Sequence, residues 1–197
     1  MRIKSDTEEE KSLIINAQQD IAEFQKIYRL YFPRVYAYMG YHTGRSQDTE
    51  DLVAETFLKA VNHLRTFNWQ GKGSFAAWIF RIAQNAVNDF YRRSWRNQKE
   101  IQLEELPDIE ASTLLPSDIM AQKEKFLYLR KLIDSLSPRL KETILLKFFG
   151  GLRNREIAEL LQLDERTVAA NLCRSIKKLH SIFLQDFTGS KGEKKHE

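Results

Sequence analysis

Apolar residues recur three and four positions apart along most of this chain, which is the spacing of one side of an α-helix rather than the alternation of a strand. Two stretches carry the pattern, about 20–97 and 122–187. In the first, Leu52, Val53, Phe57, Ala60, Val61 and Leu64 form the buried side of a helix expected from Asp48 to Leu64. A second helix is expected from an N-cap at Ser74 to about Asn97, burying Phe75, Trp78, Ile79, Ile82, Ala86 and Phe90. In the later stretch, Ser137-Pro138 reads as N-cap and first helical residue, and that helix continues through Ile144, Leu145 and Phe148 to stop at Gly150-Gly151. Asn154 is expected to cap a short helix carrying Ile157, Ala158 and Leu161; Gln162-Leu163-Asp164 then makes a tight turn, and Asp164 caps a third helix. There Val168, Leu172, Ile176, Leu179 and Phe183 form one buried stripe. Only four prolines and eight glycines leave little room for a turn-rich β fold, so the class is all-α, with two small helical domains.

Between the two stretches the periodicity fails. Residues 98–121 hold two of the four prolines, Pro107 and Pro116, and from Gln98 to Asp118 six acids face the single base Lys99, a formal −5 in a chain of net +4. Basic flanks favour a polyanion through counterion release, and an acidic stretch is repelled by it. The segment reads as a linker, although an ordinary solvated loop fits the same features. The tail, 188–197, alternates Lys and Glu around glycine and is expected to be disordered.

The polar faces carry the candidate chemistry. On the third helix of the C-terminal stretch, Arg166, Thr167, Ala170, Asn171, Arg174, Lys177 and Lys178 are expected opposite the apolar stripe. A short helix, a tight turn and a longer helix with a basic outer face is the helix-turn-helix arrangement, in which Arg and Asn read base edges and Lys neutralises phosphate. A three-helix bundle with a solvated charged face has the same pattern. In the N-terminal stretch, Asp48, Asp51 and Glu55 line up outside the buried side. Like charges four residues apart cost an isolated helix on the order of 0.2–0.5 kcal/mol, which a basic partner would reverse and which solubility alone also explains. On the next helix Arg81, Gln84, Asn85, Asn88, Tyr91, Arg92 and Trp95 share one side, a mixture of bases, amides and rings suited to single-stranded nucleic acid. Phe67 and Trp69 lie just before the Gly71-Lys72-Gly73 connection.

Other classes find little support. No apolar run approaches the length of a bilayer span, because Lys147 interrupts even the segment from Ile144 to Phe149, and the charged start, Met1 to Lys11, does not resemble an export signal. No membrane insertion is expected, and the location is read as cytoplasmic. His42, His63, His180 and His196 lack ligand spacing, no glycine-rich phosphate loop is present, and the lone Cys173 is read as a packing residue. Neither an enzyme nor a cofactor is expected.

Taken together, Asp48-Thr49-Glu50-Asp51-Leu52-Val53-Ala54-Glu55-Thr56-Phe57-Leu58-Lys59-Ala60 and Phe75 through Trp78-Ile79-Phe80-Arg81-Ile82-Ala83-Gln84-Asn85 resemble conserved region 2 of sigma factors. Leu136-Ser137-Pro138, Phe149-Gly150-Gly151-Leu152, Glu156-Ile157-Ala158-Glu159 and Thr167-Val168 resemble region 4. The order and the short intervening segment are similar to the extracytoplasmic-function (ECF) group of the sigma-70 family. The resemblance implies a protein that recruits core RNA polymerase, through its β′ clamp helices and β subunit, to promoter DNA. It implies polymerase contacts at Asp48, Asp51, Leu52 and Glu55, −10 contacts at Phe67, Arg81, Asn85, Asn88 and Arg92, and −35 contacts from the helix after Asp164. An anti-sigma protein is a further implied partner. Two departures stand out: Ala54 replaces a usual Gln, and Ala169 and Ala170 occupy positions that are usually long or polar, which implies an altered −35 preference. The alternative is a helix-turn-helix regulator that does not recruit polymerase.

Overall fold

The computed structural model describes residues 7–96 and 127–189. The described residues are helical with no strand, in eight helices: α1 (Thr7–Gln19), α2 (Phe24–Thr43), α3 (Ser46–His63), α4 (Ser74–Arg96), α5 (residues 127–134), α6 (Pro138–Phe148), α7 (Asn154–Leu161) and α8 (Glu165–Gly189). The acidic linker, 98–121, and the tail from residue 190 onward lie outside the described residues; Thr188 and Gly189, expected to be disordered with the tail, are the last residues of α8.

α2 is the spine of the N-terminal half. Its buried residues Phe24, Ile27, Tyr31, Val35, Tyr38 and Met39 fall three and four apart, so one stripe faces α3 and α4 along the whole helix. Gly44 ends the helix at φ 72°, where its N–H returns to the Gly40 carbonyl at 3.1 Å. That left-handed C-terminal position favours glycine. α3 and α4 pack on α2 through Leu52, Val53, Phe57, Phe75, Ile79 and Ala86.

The C-terminal half follows its local signals with small shifts. Ser137 is extended and Pro138 opens α6. Arg153, rather than Asn154, precedes α7: the Glu156 carboxylate turns back to accept the Arg153 N–H at 2.7 Å. Gln162 adopts the left-handed conformation (φ 55°) that reverses the chain toward α8, and Asp164 caps α8 by accepting the Thr167 N–H at 2.7 Å. The expected stripe of α8 is buried only in its first half. Val168 and Leu172 are in the core, whereas Ile176 is 50% exposed and Phe183 is also exposed. These two line an open, wholly apolar groove of about 430 Å³ with Leu129, Ile133, Phe148 and Leu179.

The two halves share one continuous core rather than standing apart. A polar seam joins them. Tyr38 donates to Glu142 Oε1 (2.6 Å), Tyr41 donates to Asp134 Oδ1 (2.8 Å), and Arg34 hydrogen-bonds the Gly150 carbonyl. Gly151, at φ 60°, passes so close that an added Cβ would stand 2.9 Å from the Arg34 guanidinium. On α4 the expected stripe is buried at Phe75, Ile79 and Ala86 and only half-buried at Trp78, Ile82 and Phe90, while Ala76, Phe80, Ala83 and Val87 are buried beside it.

Candidate nucleic-acid interface

Three surfaces carry the residues singled out by the sequence. The first is on α3, where Asp51 is exposed and Asp48 partly so. Glu55 is engaged by Lys59 at 2.6 Å and by Arg93 of α4 at 3.6 Å. Leu52 does not belong to this surface: it is 3% exposed, because it is one of the residues by which α3 packs into the core. Its place is taken by Ala54 and by Leu58, which is 62% exposed. Asp51, Ala54, Glu55 and Leu58 fall at i, i+3, i+4 and i+7, a single helical face of two carboxylates and an apolar anchor. Leu58 was detectable as the one large apolar residue of α3 off the buried spacing.

The second surface is the outer side of α4 with the loop before it. Arg81, Asn85, Asn88 and Arg92 are all exposed on it, with Trp95 at 85%. Gln84 and Tyr91, expected on the same side, turn toward the seam instead. Tyr91 donates to the His42 carbonyl at 2.7 Å, and Gln84 Nε2 lies 3.4 Å from Glu142. Phe67 is half-buried against Phe75 and Trp78, with ring centroids 5.3 and 5.0 Å away. It opens onto a cleft of about 460 Å³ that is also lined by Lys72, Trp78 and Arg81. The far wall is α7, which contributes Arg155, Glu156 and Glu159 to the lining. The close approach passes over Gly73, at φ 86°, where a Cβ would collide with the Glu156 carboxylate.

The third surface is on α8. Arg166, Ala169, Ala170, Arg174, Lys177 and Lys178 are exposed, and Thr167 is partly exposed with its hydroxyl on the Asp164 cap at 2.6 Å. The hydrogen bonds from the Thr167 side chain and backbone hold the Asp164 carboxyl below its ordinary range. Asn171 is the exception. It is 2% exposed, since three residues of helix place it roughly 60° from Val168, inside the arc that packs on the neighbouring helices. Its Oδ1 instead accepts from Arg174 at 2.9 Å, which steadies that guanidinium. Lys178 reaches back to the Ser135 carbonyl at 2.7 Å.

Behind these surfaces the seam is electrostatically tuned. Burial pushes the Glu142 carboxyl up, but His42 (Nε2–Oε2 3.4 Å), Tyr38 and Gln84 outweigh it and hold the group below its ordinary range. Asp134 is shifted the same way: its partial burial acts upward, and Lys141, Tyr41 and Arg130 outweigh it. Sequence reasoning missed Tyr38, Tyr41, Asp134 and Glu142, because the bonds Tyr38–Glu142 and Tyr41–Asp134 join positions 104 and 93 residues apart. Among the described residues, no group of His, Cys, Asp and Glu could hold a metal ion, and no helix is long and apolar enough to cross a membrane.

Residues 27–97 match the Sigma-70 region 2 family and residues 126–179 match Sigma-70, region 4. The chain is 30% identical over 183 residues to the ECF RNA polymerase sigma factor BldN of Streptomyces coelicolor, covering 92% of this chain and 69% of that protein. It is 26% identical to the ECF RNA polymerase sigma factor SigX of Bacillus subtilis, over 79% of this chain and 81% of the relative. Two solved structures share the fold at 20% identity. CnrH, in complex with the cytosolic domain of CnrY, superposes with a TM-score of 0.64, covering 88% of this chain and 96% of CnrH. RpoE, in complex with the anti-sigma factor NepR from Bartonella quintana, superposes at 0.62, covering 82% and 96%. Two family matches in the right order, on either side of an acidic segment, and a relative aligned along nearly the whole chain identify it: the protein belongs to the ECF RNA polymerase sigma factors, non-enzymatic factors that direct RNA polymerase to promoters.

Proposed function

We propose that this sigma factor grips core polymerase with the α3 face of Asp51, Glu55 and Leu58 and captures the melted −10 strand on α4, while α8 addresses the −35 element. The observation that carries this is the row of exposed Arg81, Asn85, Asn88 and Arg92 on one side of α4, leading to the half-buried ring of Phe67 against Trp78. Guanidinium groups take backbone phosphate, amides read the Watson–Crick edge, and rings receive an unstacked base. Trapping such a base offsets the few kcal/mol that unstacking costs and biases the duplex toward the open form. On α8, Arg166 and Arg174 would address bases, and Lys177 and Lys178 phosphate. With Ala169 and Ala170 exposed where longer side chains are usual, −35 recognition leans on Arg174 and the lysines.

Polymerase use requires the halves to separate. Elements centred at −35 and −10 lie about 25 base pairs apart, ~85 Å at the rise of B-DNA. The roughly 30 residues between α4 and α5 span at most ~100 Å, enough for that distance. The seam is therefore a closed arrangement of the free protein, and the domains 20–97 and 122–187 act as separate units once it opens. The apolar groove beside Ile176 and Phe183 supports a seat for an amphipathic helix of the polymerase β subunit. An anti-sigma protein, like the NepR bound to RpoE in one of the solved complexes, would hold the factor inactive. The workplace is the cytoplasm, where the polymerase is.

The test is reconstitution with bacterial core polymerase and selection from a random promoter library by run-off transcription. Promoter-dependent transcripts, lost on reversing Asp51 and Glu55 to Lys, support the assignment. A protein that binds a duplex site alone and tolerates both reversals is a regulator that does not recruit polymerase.

A further inference from the structure

α1, the helix that opens the described chain, reaches the loop carrying Phe67 by two routes. Gln18, in its last turn, uses both protons of the side-chain amide: Nε2 lies 2.9 Å from the Leu64 carbonyl oxygen and 2.7 Å from that of Phe67. An amide NH2 has two donors, and here two carbonyls take them. Those carbonyls bracket the turn Leu64–Thr66, whose own closure is the Phe67 N–H on the Leu64 oxygen at 3.0 Å. The second route runs beneath the ring. The buried carboxylate of Glu10 accepts from Tyr31, the Tyr31 ring lies 5.1 Å from Phe75, and Phe75 packs edge-on to Phe67. α1 is itself anchored by the buried Ile14 and Ala17.

We propose that Gln18 is a positioning residue for base capture, fixing the Phe67 backbone before the unstacked base arrives. A loop ordered only on encounter would consume binding free energy, so a latch set beforehand strengthens strand capture without touching DNA. This rests on Phe67 being part of the strand-capture site.

The experiment uses holoenzyme assembled from the full chain and bacterial core polymerase, on a promoter selected with the wild-type protein. A fork junction with a single-stranded non-template −10 strand reports capture, 2-aminopurine placed along that strand reports unstacking, and competition for core reports assembly. Gln18→Glu keeps the size of the side chain but presents acceptors to two carbonyls. It is expected to weaken fork-junction binding roughly tenfold, as loss of two hydrogen bonds would, and to lower the 2-aminopurine signal, with core association unchanged. Gln18→Lys, which donates again, is expected to recover most of the binding; should Gln18→Glu not fold, Gln18→Ala is read in its place. Fork binding like wild type, a proportional loss of core association, or no recovery with Lys overturns the inference. Phe67→Ala run in parallel separates the two levels. If it binds the fork like wild type the capture site itself is wrong, whereas if it is impaired and the Gln18 variants are not, only the latch is wrong.

Discussion

Tyr38 of α2 donates its hydroxyl to the carboxylate of Glu142 of α6 at 2.6 Å, and that bond crosses the boundary between the two halves of the protein. His42 and Gln84 converge on the same carboxylate, while Tyr41 and Lys141 meet on Asp134 alongside. A seam built of hydrogen bonds rather than apolar area alone is one that competing partners and solvent can take apart, since each bond is exchanged for one to water at modest net cost.

Removing a donor from this seam should shift the molecule toward separated halves. Tyr38→Phe leaves the Glu142 carboxylate short of a partner in a partly buried place, a cost of about 1–3 kcal/mol to the closed arrangement. Fluorescence transfer between a label on Cys173, which is exposed on α8 rather than packed in the core as its sequence context suggested, and one on Gln47→Cys reports the change. The variant should show lower transfer than wild type at neutral pH, and an unchanged signal would mean that the seam does not depend on this bond.

The seam should also open in acid. Glu142 and Asp134 have depressed carboxyl pKa values in the folded protein, so their contribution is present above the ordinary carboxylate range and is lost as pH falls through the lowered values. The same transfer signal, followed from pH 7 to about pH 3, should fall only at the acid end. In Glu142→Gln the part due to that carboxylate should disappear from the profile.

On α3, charge reversal and core truncation should separate cleanly. Asp51→Lys is expected to lower core polymerase association by tenfold or more, on the order of 1.4 kcal/mol, with little change in thermal stability, because the side chain is exposed. Leu52→Ala should instead cost about 2–5 kcal/mol of folding stability in denaturant titration. A Leu52→Ala protein as stable as wild type would contradict its place in the core.

Contacts on α8 should divide into base and phosphate classes. Arg174→Ala is expected to cost about 1–3 kcal/mol and to relax preference at one −35 position, while Lys177→Ala should weaken all sequences alike and reduce the salt slope by about 1. Asn171→Ala truncates a buried side chain whose Oδ1 accepts from the exposed Arg174, so its first effect should be on stability. Selection of −35 sequences with each holoenzyme, together with binding measured across salt, distinguishes these outcomes.

What the chain alone determined was whatever is set within a few residues. The α3, α4 and α8 helices and the exposed Arg81, Asn85 and Arg174 follow from spacings of three and four, which one helix turn enforces by itself, and the Ser137-Pro138 start and the Asp164 cap follow from the residue types at the helix ends. The motif pairing of regions 2 and 4 was equally legible, because its residues are contiguous. The sequence did not reveal which flank of each stripe another element would cover. Asn171 belongs to the core, and Ile176 and Phe183 do not, because helix packing, not periodicity, assigns the borderline positions; Leu52 is buried as its spacing on α3 required, against the surface contact that the resemblance implied. Nor could spacing disclose that Gln18 holds Leu64 and Phe67, 46 and 49 residues on, or that Tyr38 meets Glu142 across 104. Such contacts depend on where separate helices come to rest, and only the folded arrangement brings their donors within reach of a carbonyl or a carboxylate.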